Sequence, residues 1–161
     1  MTSTAELIEL LVERNLRIAV AESLTGGMLA AELTSVPGAS AAVLGGVVAY
    51  STELKKTLLG VDTAVLNVHG AVHPDVASQM AVHVRELLTV GGVPADIGVS
   101  TTGVAGPDPQ DGCEVGTVFV GVSITGDVRV LSLSLDGDRE SIRRQVVELA
   151  VNEVHARLLE Q

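Results

Sequence analysis

Short apolar runs in this chain end abruptly in corners of small polar residues and glycine, and each corner leads into a helical pattern. Arg17 to Ala21 (RIAVA) reads as a buried strand running straight into Glu22-Ser23-Leu24-Thr25-Gly26-Gly27, after which Met28 to Leu33 reads as helix. Pro37-Gly38 breaks that pattern. Val43 to Tyr50 reads as the next strand, and Ser51 is placed to cap a helix through Leu59. Pro74 suits the first turn of a helix reaching Leu88, with Val76, Met80, Val84 and Leu87 on one face. Ile97 to Thr101 is a further short strand, ending in the loop Thr102-Gly103-Val104-Ala105-Gly106-Pro107. Strand and helix in alternation call for parallel pairing with helices on both faces.

The two ends of the chain complete the pattern. Thr4 is expected to cap a first helix whose stripe is Leu7, Ile8, Leu10, Leu11 and Leu16. Thr117 to Ile124 and Val128 to Leu135 flank Thr125-Gly126-Asp127, a hairpin signal. A last helix is expected from Asp138 to Leu159, with Ile142, Val146, Leu149 and Leu158 facing inward. The expected fold class is α/β, a three-layer α/β/α sandwich on a mixed sheet. At 161 residues, against about 150 per domain, one domain over 1–161 is expected.

Composition excludes several function classes. Ten Lys and Arg face 20 Asp and Glu, a formal charge of −10, which gives no basic face for DNA or RNA. Tyr50 and Phe119 are the sole aromatics, so stacking platforms for single strands are missing. A membrane role is not expected: the longest apolar run, Ala41 to Tyr50, holds two glycines and falls far short of the ~20 residues that span a bilayer. Met1 to Arg14 carries acidic residues at helical spacing, unlike a signal peptide. The lone Cys113 has no partner for an internal disulfide, in keeping with a reducing cytoplasm.

The corners are where chemistry is expected. Glycine-rich loops for dinucleotides or nucleoside triphosphates, the G-x-S-x-G elbow and H-E-x-x-H are all absent. His69 and His73 lie four apart, but Gly70 and Pro74 interrupt any shared helix face, so solvated loop histidines are expected rather than a metal site. At Glu22 to Gly27, hydroxyls and glycines at a helix start expose backbone N–H groups able to hold an anion or an oxyanion. Alternatively, Ser23 or Thr25 only caps the helix and the glycines only permit close packing. Tyr50 ends a strand, where open α/β sheets bind ligands, and Lys55 follows Ser51 by one turn. Arg139, Arg143 and Arg144 make a local basic cluster, and a solvated face explains it equally well.

Taken together, these blocks resemble the CinA C-terminal domain family. The residues carrying the resemblance are Ala21-Glu22-Ser23-Leu24-Thr25-Gly26-Gly27, Tyr50-Ser51 with Lys55, and Gly70-Ala71-Val72. Thr102 to Pro107, Val115-Gly116-Thr117-Val118, and Gly137-Asp138-Arg139 with Arg143-Arg144-Gln145 continue it in family order. His73-Pro74 and the loop Asp108 to Glu114 depart from the family pattern. The family includes bacterial nicotinamide-nucleotide amidases, which convert nicotinamide mononucleotide to nicotinate mononucleotide and ammonia. The resemblance therefore implies a stand-alone amidase with no metal or organic cofactor, a small nucleotide as substrate, and a homo-oligomer. It implies Ser23 as nucleophile and Lys55 as base, which requires a pKa lowered by burial or by a positive field such as Arg139 would supply, with Tyr50 and Thr102 relaying protons or orienting the pair. Thr25, Gly26, Gly27 and Gly103 are implied as substrate-binding positions. A nucleotide-binding regulatory module without turnover accounts for the same corners, since it also needs only anion binding. Of Arg139, Arg143 and Arg144, only Arg139 is expected to face the site.

Overall fold

The structure is a computed structural model describing residues 1–161. Five strands, β1 (Ile18–Glu22), β2 (Val43–Val48), β3 (Ile97–Gly103), β4 (Thr117–Ile124) and β5 (Asp127–Ser134), form one mixed sheet in the order β2-β1-β3-β4-β5. β1 pairs parallel with β2 and with β3, whereas β3–β4 and β4–β5 are antiparallel. The helices are α1 (Thr4–Glu13), α2 (Met28–Thr34), α3 (Thr52–Thr57), α4 (Thr63–His69), α5 (Pro74–Leu87) and α6 (Arg139–Leu159). None is long and apolar enough to cross a membrane.

Side chains alternate across β1, so the two faces build two cores. Ile18 and Val20 join the larger one, with Leu7, Leu11, Leu29, Ile142 and Val146 from α1, α2 and α6. Ala19 and Ala21 face the smaller one, beneath Val76, Met80 and Val84 of α5. Small residues are needed on that face because α5 lies almost against the sheet. A Cβ on Gly98 would fall 1.9 Å from the Ala81 carbonyl oxygen, and one on Gly121 would fall 2.4 Å from that of Ala77.

Several boundaries differ from expectation for local reasons. The cap of α1 is Ser3, not Thr4: its hydroxyl accepts from the Glu6 amide at 3.2 Å while Glu6 accepts from the Ser3 amide at 2.6 Å. Thr4 instead donates to Glu32. Leu10, Leu16 and Leu149 are half-buried. The second strand stops at Val48, which leaves Tyr50 in the turn beyond it, and α3 ends at Thr57. Ser51 is the N-cap of α3, but its side chain makes no capping bond. The hairpin turns on Thr125 and Gly126, both with positive φ, and Asp127 already belongs to β5. His69 and His73 are not loop histidines. They end α4 and cap α5, with rings stacked 4.0 Å apart.

This topology places a crevice. The chain leaves β1 through α2 to β2 on one side and returns through α5 to β3 on the other. The parallel strands end level, with Glu22 beside both Val48 and Thr101. Open α/β sheets bind ligands at such a reversal, beyond the carboxyl ends of the strands.

Candidate active site

Ser23 is the first residue past β1. Its amide donates to the Thr101 carbonyl at 3.0 Å, which ties the corner to the end of β3. Glu22, fully buried, turns its carboxylate onto the start of α2 and accepts from the amides of Leu29 at 2.8 Å and Ala30 at 3.0 Å. A carboxylate at a helix N-terminus satisfies donors that would otherwise be orphaned. The expected anion site there is thus already taken by the chain's own acid.

Two more groups of the corner are engaged within the chain. The Gly26 amide donates to the Ser23 carbonyl at 3.0 Å, and the Thr25 hydroxyl is bonded to that of Thr101 at 2.7 Å, fully buried. The Leu24, Thr25 and Gly27 amides make no hydrogen bond within the chain. Donors for an anion at this corner are therefore backbone groups next to Ser23, rather than the helix end.

Lys55 comes from α3, yet its side chain is only 1% exposed. Its Nζ donates to Ser23 Oγ at 2.8 Å, to the Ala49 carbonyl at 2.8 Å and to the Tyr50 carbonyl at 3.5 Å. Burial lowers its pKa from 10.5 to about 8, and the carboxylate of Asp111 opposes the shift. Of the two expected causes, burial and a field from Arg139, burial is the one that lowers it. In the uncharged form the two carbonyls occupy both N–H groups, and the remaining lone pair faces Ser23 Oγ. That arrangement can accept a proton from serine.

The other expected residues are near, but with different partners. Thr102 is buried and donates its hydroxyl to the Ala71 carbonyl at 2.7 Å, and its side chain makes no hydrogen bond to Ser23 or Lys55. Tyr50 reaches Lys55 only through its carbonyl, while its phenol, on a 60% exposed side chain, accepts from Arg139 Nη2 at 2.9 Å. Neither hydroxyl is placed as a relay between Ser23 and Lys55. Arg139 also donates to the Gly106 carbonyl at 2.6 Å. Ser23, Tyr50, Thr102, Gly103, Asp108 and Arg139 all line one cleft of about 190 Å³. Thr25, Gly26 and Gly27 are not among its lining residues, and Gly27 packs toward Val48. A larger cavity of about 470 Å³ lies elsewhere, between the amino-terminal residues and α6, without Ser23 or Lys55.

Two contributors escaped the sequence reading. Arg143 is not solvated: it donates to the Leu24 and Thr25 carbonyls at 2.9 and 3.1 Å. Its spacing of four from Arg139 puts both on one face of α6. Arg144 does stay outside, paired with Glu140 at 2.5 Å. Asp111, in a left-handed turn, accepts from the Ala71 amide at 3.1 Å and anchors the loop whose Asp108 and Gln110 line the cleft.

The sequence matches the CinA C-terminal domain over residues 1–158. It is 46% identical over 152 residues to a CinA-like protein of Frankia casuarinae, covering 94% of this chain and 34% of that protein. The chain spans about a third of the length of the curated relatives it matches. A competence-damaged protein (CinA) superfamily protein from Klebsiella pneumoniae 700603 superposes with a TM-score of 0.90 at 32% identity, covering 99% of this chain and 100% of that one. The competence/damage inducible protein CihA from Agrobacterium tumefaciens superposes with a TM-score of 0.85, also at 32% identity, covering 100% and 98%. The family match takes in nearly the whole chain, and the chain belongs to the CinA C-terminal domain family.

Proposed function

We propose that this chain hydrolyses the carboxamide of nicotinamide mononucleotide, giving nicotinate mononucleotide and ammonia. The observation that carries the reading is the 2.8 Å contact between Lys55 Nζ and Ser23 Oγ, with the amine buried and its pKa lowered to about 8. A nucleotide-binding module has no need of such a pair, whereas amide hydrolysis needs an activated nucleophile. With a pKa of about 8, about a tenth of Lys55 is uncharged at pH 7.

The steps follow from that pair. Uncharged Lys55 takes the Ser23 proton as Oγ bonds to the carboxamide carbon, and the carbonyl electron pair moves onto oxygen. The Leu24 and Thr25 amides are the donors for that oxyanion. Collapse restores the carbonyl and breaks the C–N bond, and the proton held on Lys55 leaves with ammonia. Water then gives a proton to Lys55 and attacks the ester. The second collapse frees Oγ, which takes the proton back. Arg139, at the rim of the cleft, is the group for the phosphate, since its planar fork can bond two oxygens.

The test is ammonia release from nicotinamide mononucleotide by purified protein, with the nucleotide product identified chromatographically. Turnover that disappears in Ser23→Ala is the expected result. Nucleotide binding without ammonia would overturn the reading in favour of a regulatory module.

A further inference from the structure

The corner that holds the nucleophile is gripped by a residue that makes no hydrogen bond to Ser23 or Lys55. Arg143 Nε donates to the Leu24 carbonyl at 2.9 Å and Nη2 to the Thr25 carbonyl at 3.1 Å. In a trans peptide the carbonyl and the following N–H point in opposite directions. Holding the Leu24 carbonyl toward Arg143 therefore turns the Thr25 N–H away from it, and holding the Thr25 carbonyl does the same for Gly26. The Gly26 N–H is accounted for by the Ser23 carbonyl at 3.0 Å, while the Thr25 N–H has no partner in the chain. The fit is close: a Cβ on Gly26, at φ +58°, would lie 3.2 Å from Arg143 Nη2.

Backbone donors stabilise an oxyanion only if they already point at it, because turning a peptide plane during the reaction would cost what the bond gains. In a five-residue corner rich in glycine, something has to fix those planes. Glu22 fixes the far end through α2, and Arg143 is the side chain that fixes the planes just after Ser23.

Resting on the amidase reading above, we propose that Arg143 is a positioning residue that orients the Thr25 amide as an oxyanion donor for Ser23. It acts on the transition state through the backbone and contributes nothing to phosphate binding. Lysine should substitute poorly, since its single nitrogen cannot reproduce the two separate donors, Nε and Nη2, that the planar guanidinium sets against the Leu24 and Thr25 carbonyls.

The experiment compares wild type, Arg143→Lys, Arg143→Ala and, as a solvent-facing control, Arg144→Met. Two readouts are used: steady-state ammonia release, and the rate at which a fluorophosphonate phosphonylates Ser23. In the labelling reaction the Oγ–P bond forms, the P–F bond breaks, and the proton goes to Lys55. It needs the oxyanion donors but not the nucleotide. Removing one such donor typically costs on the order of 100-fold or more, so misaligning one should lower kcat and labelling together by about tenfold or more, with KM unchanged. Millimolar guanidinium ion should restore part of both rates to Arg143→Ala, which repair of a merely unfolded variant would not do. Labelling of Arg143→Lys at the wild-type rate, or a loss confined to KM, overturns the proposal. If wild type labels at Ser23 yet releases no ammonia, the substrate reading fails, and the labelling comparison still decides the role of Arg143. If wild type does neither, the nucleophile reading fails and this proposal with it.

Discussion

Replacing Lys55 by methionine should abolish turnover and make the protein more stable at neutral pH. Burial drops the lysine from 10.5 to about 8, so keeping it charged in the folded state costs about 3 kcal/mol, at about 1.4 kcal/mol per pKa unit. Methionine keeps most of the apolar stem and carries no charge. Against that gain, the Ala49 carbonyl loses its 2.8 Å donor, which costs about 1 kcal/mol. The net expectation is a gain of about 1–2 kcal/mol, or roughly 2–8 °C in Tm for a chain of this size. The pH dependence identifies the cause. Between about 8 and 10.5 the unfolded lysine stays protonated while the folded one does not, so the unfolded state binds more protons and wild-type stability rises with pH. The advantage of Lys55→Met should be full below pH 8, shrink across that window and be gone or reversed above it. Urea unfolding of both proteins from pH 7 to 10.5 measures the difference directly. A variant less stable than wild type by the same amount at every pH would refute the claim that the lysine is held at a cost.

Wild-type kcat/KM for ammonia release should rise with pH and level off above about 8, following the uncharged fraction of Lys55; a flat profile across neutral pH removes Lys55 as the base. Ser23→Ala should keep its fold by circular dichroism and retain less than about a tenth of wild-type turnover, and more than that would make Ser23 a structural residue. Arg139→Ala should lower kcat/KM by about tenfold or more for nicotinamide mononucleotide and much less for the phosphate-free riboside; equal losses would move Arg139 from the phosphate to the reacting amide. Gly98→Ala drives a methyl group into the Ala81 carbonyl, 1.9 Å from the added carbon. It should lower the urea midpoint by the equivalent of about 3 kcal/mol or more, and a neutral result would mean that α5 is free to lift off the sheet.

The layers of the fold were legible because the apolar periods were clean and the corners fell at strand ends. Helix α4 was not, since Leu66 is its one buried side chain and Val68 is 74% exposed, which leaves almost no amphipathic stripe to read. The Ser3-Glu6 capping box was present in the sequence, but Thr4 competed for the same role. Ser23 and Lys55 were found through the family pattern rather than through spacing. Their 2.8 Å contact joins residues far apart in sequence. The partners of Thr102, Tyr50, Glu22 and Arg143 are backbone groups or distant side chains, and such pairings leave no periodic trace. The reading of the glycine corner as a helix-end anion site missed two internal acceptors: the Glu22 carboxylate, which takes the Leu29 and Ala30 amides, and the Ser23 carbonyl, which takes that of Gly26.

The loop from Ala105 to Val115 is closed at its base by two backbone bonds, Gly116 N–H to the Val104 carbonyl at 2.8 Å and Val104 N–H to the Thr117 carbonyl at 2.9 Å. Its tip is fastened separately, through Asp111 to Ala71 and Cys113 to Val72. A segment clamped this way behaves as a cassette. Doubling its length would add only about 0.6 kcal/mol of closure entropy, and neither Ser23 nor Lys55 lies within it. Grafting loops of other lengths and charges between Val104 and Gly116 is therefore a route to new substrates that leaves the Ser23 corner and helix α3, which carries Lys55, in place.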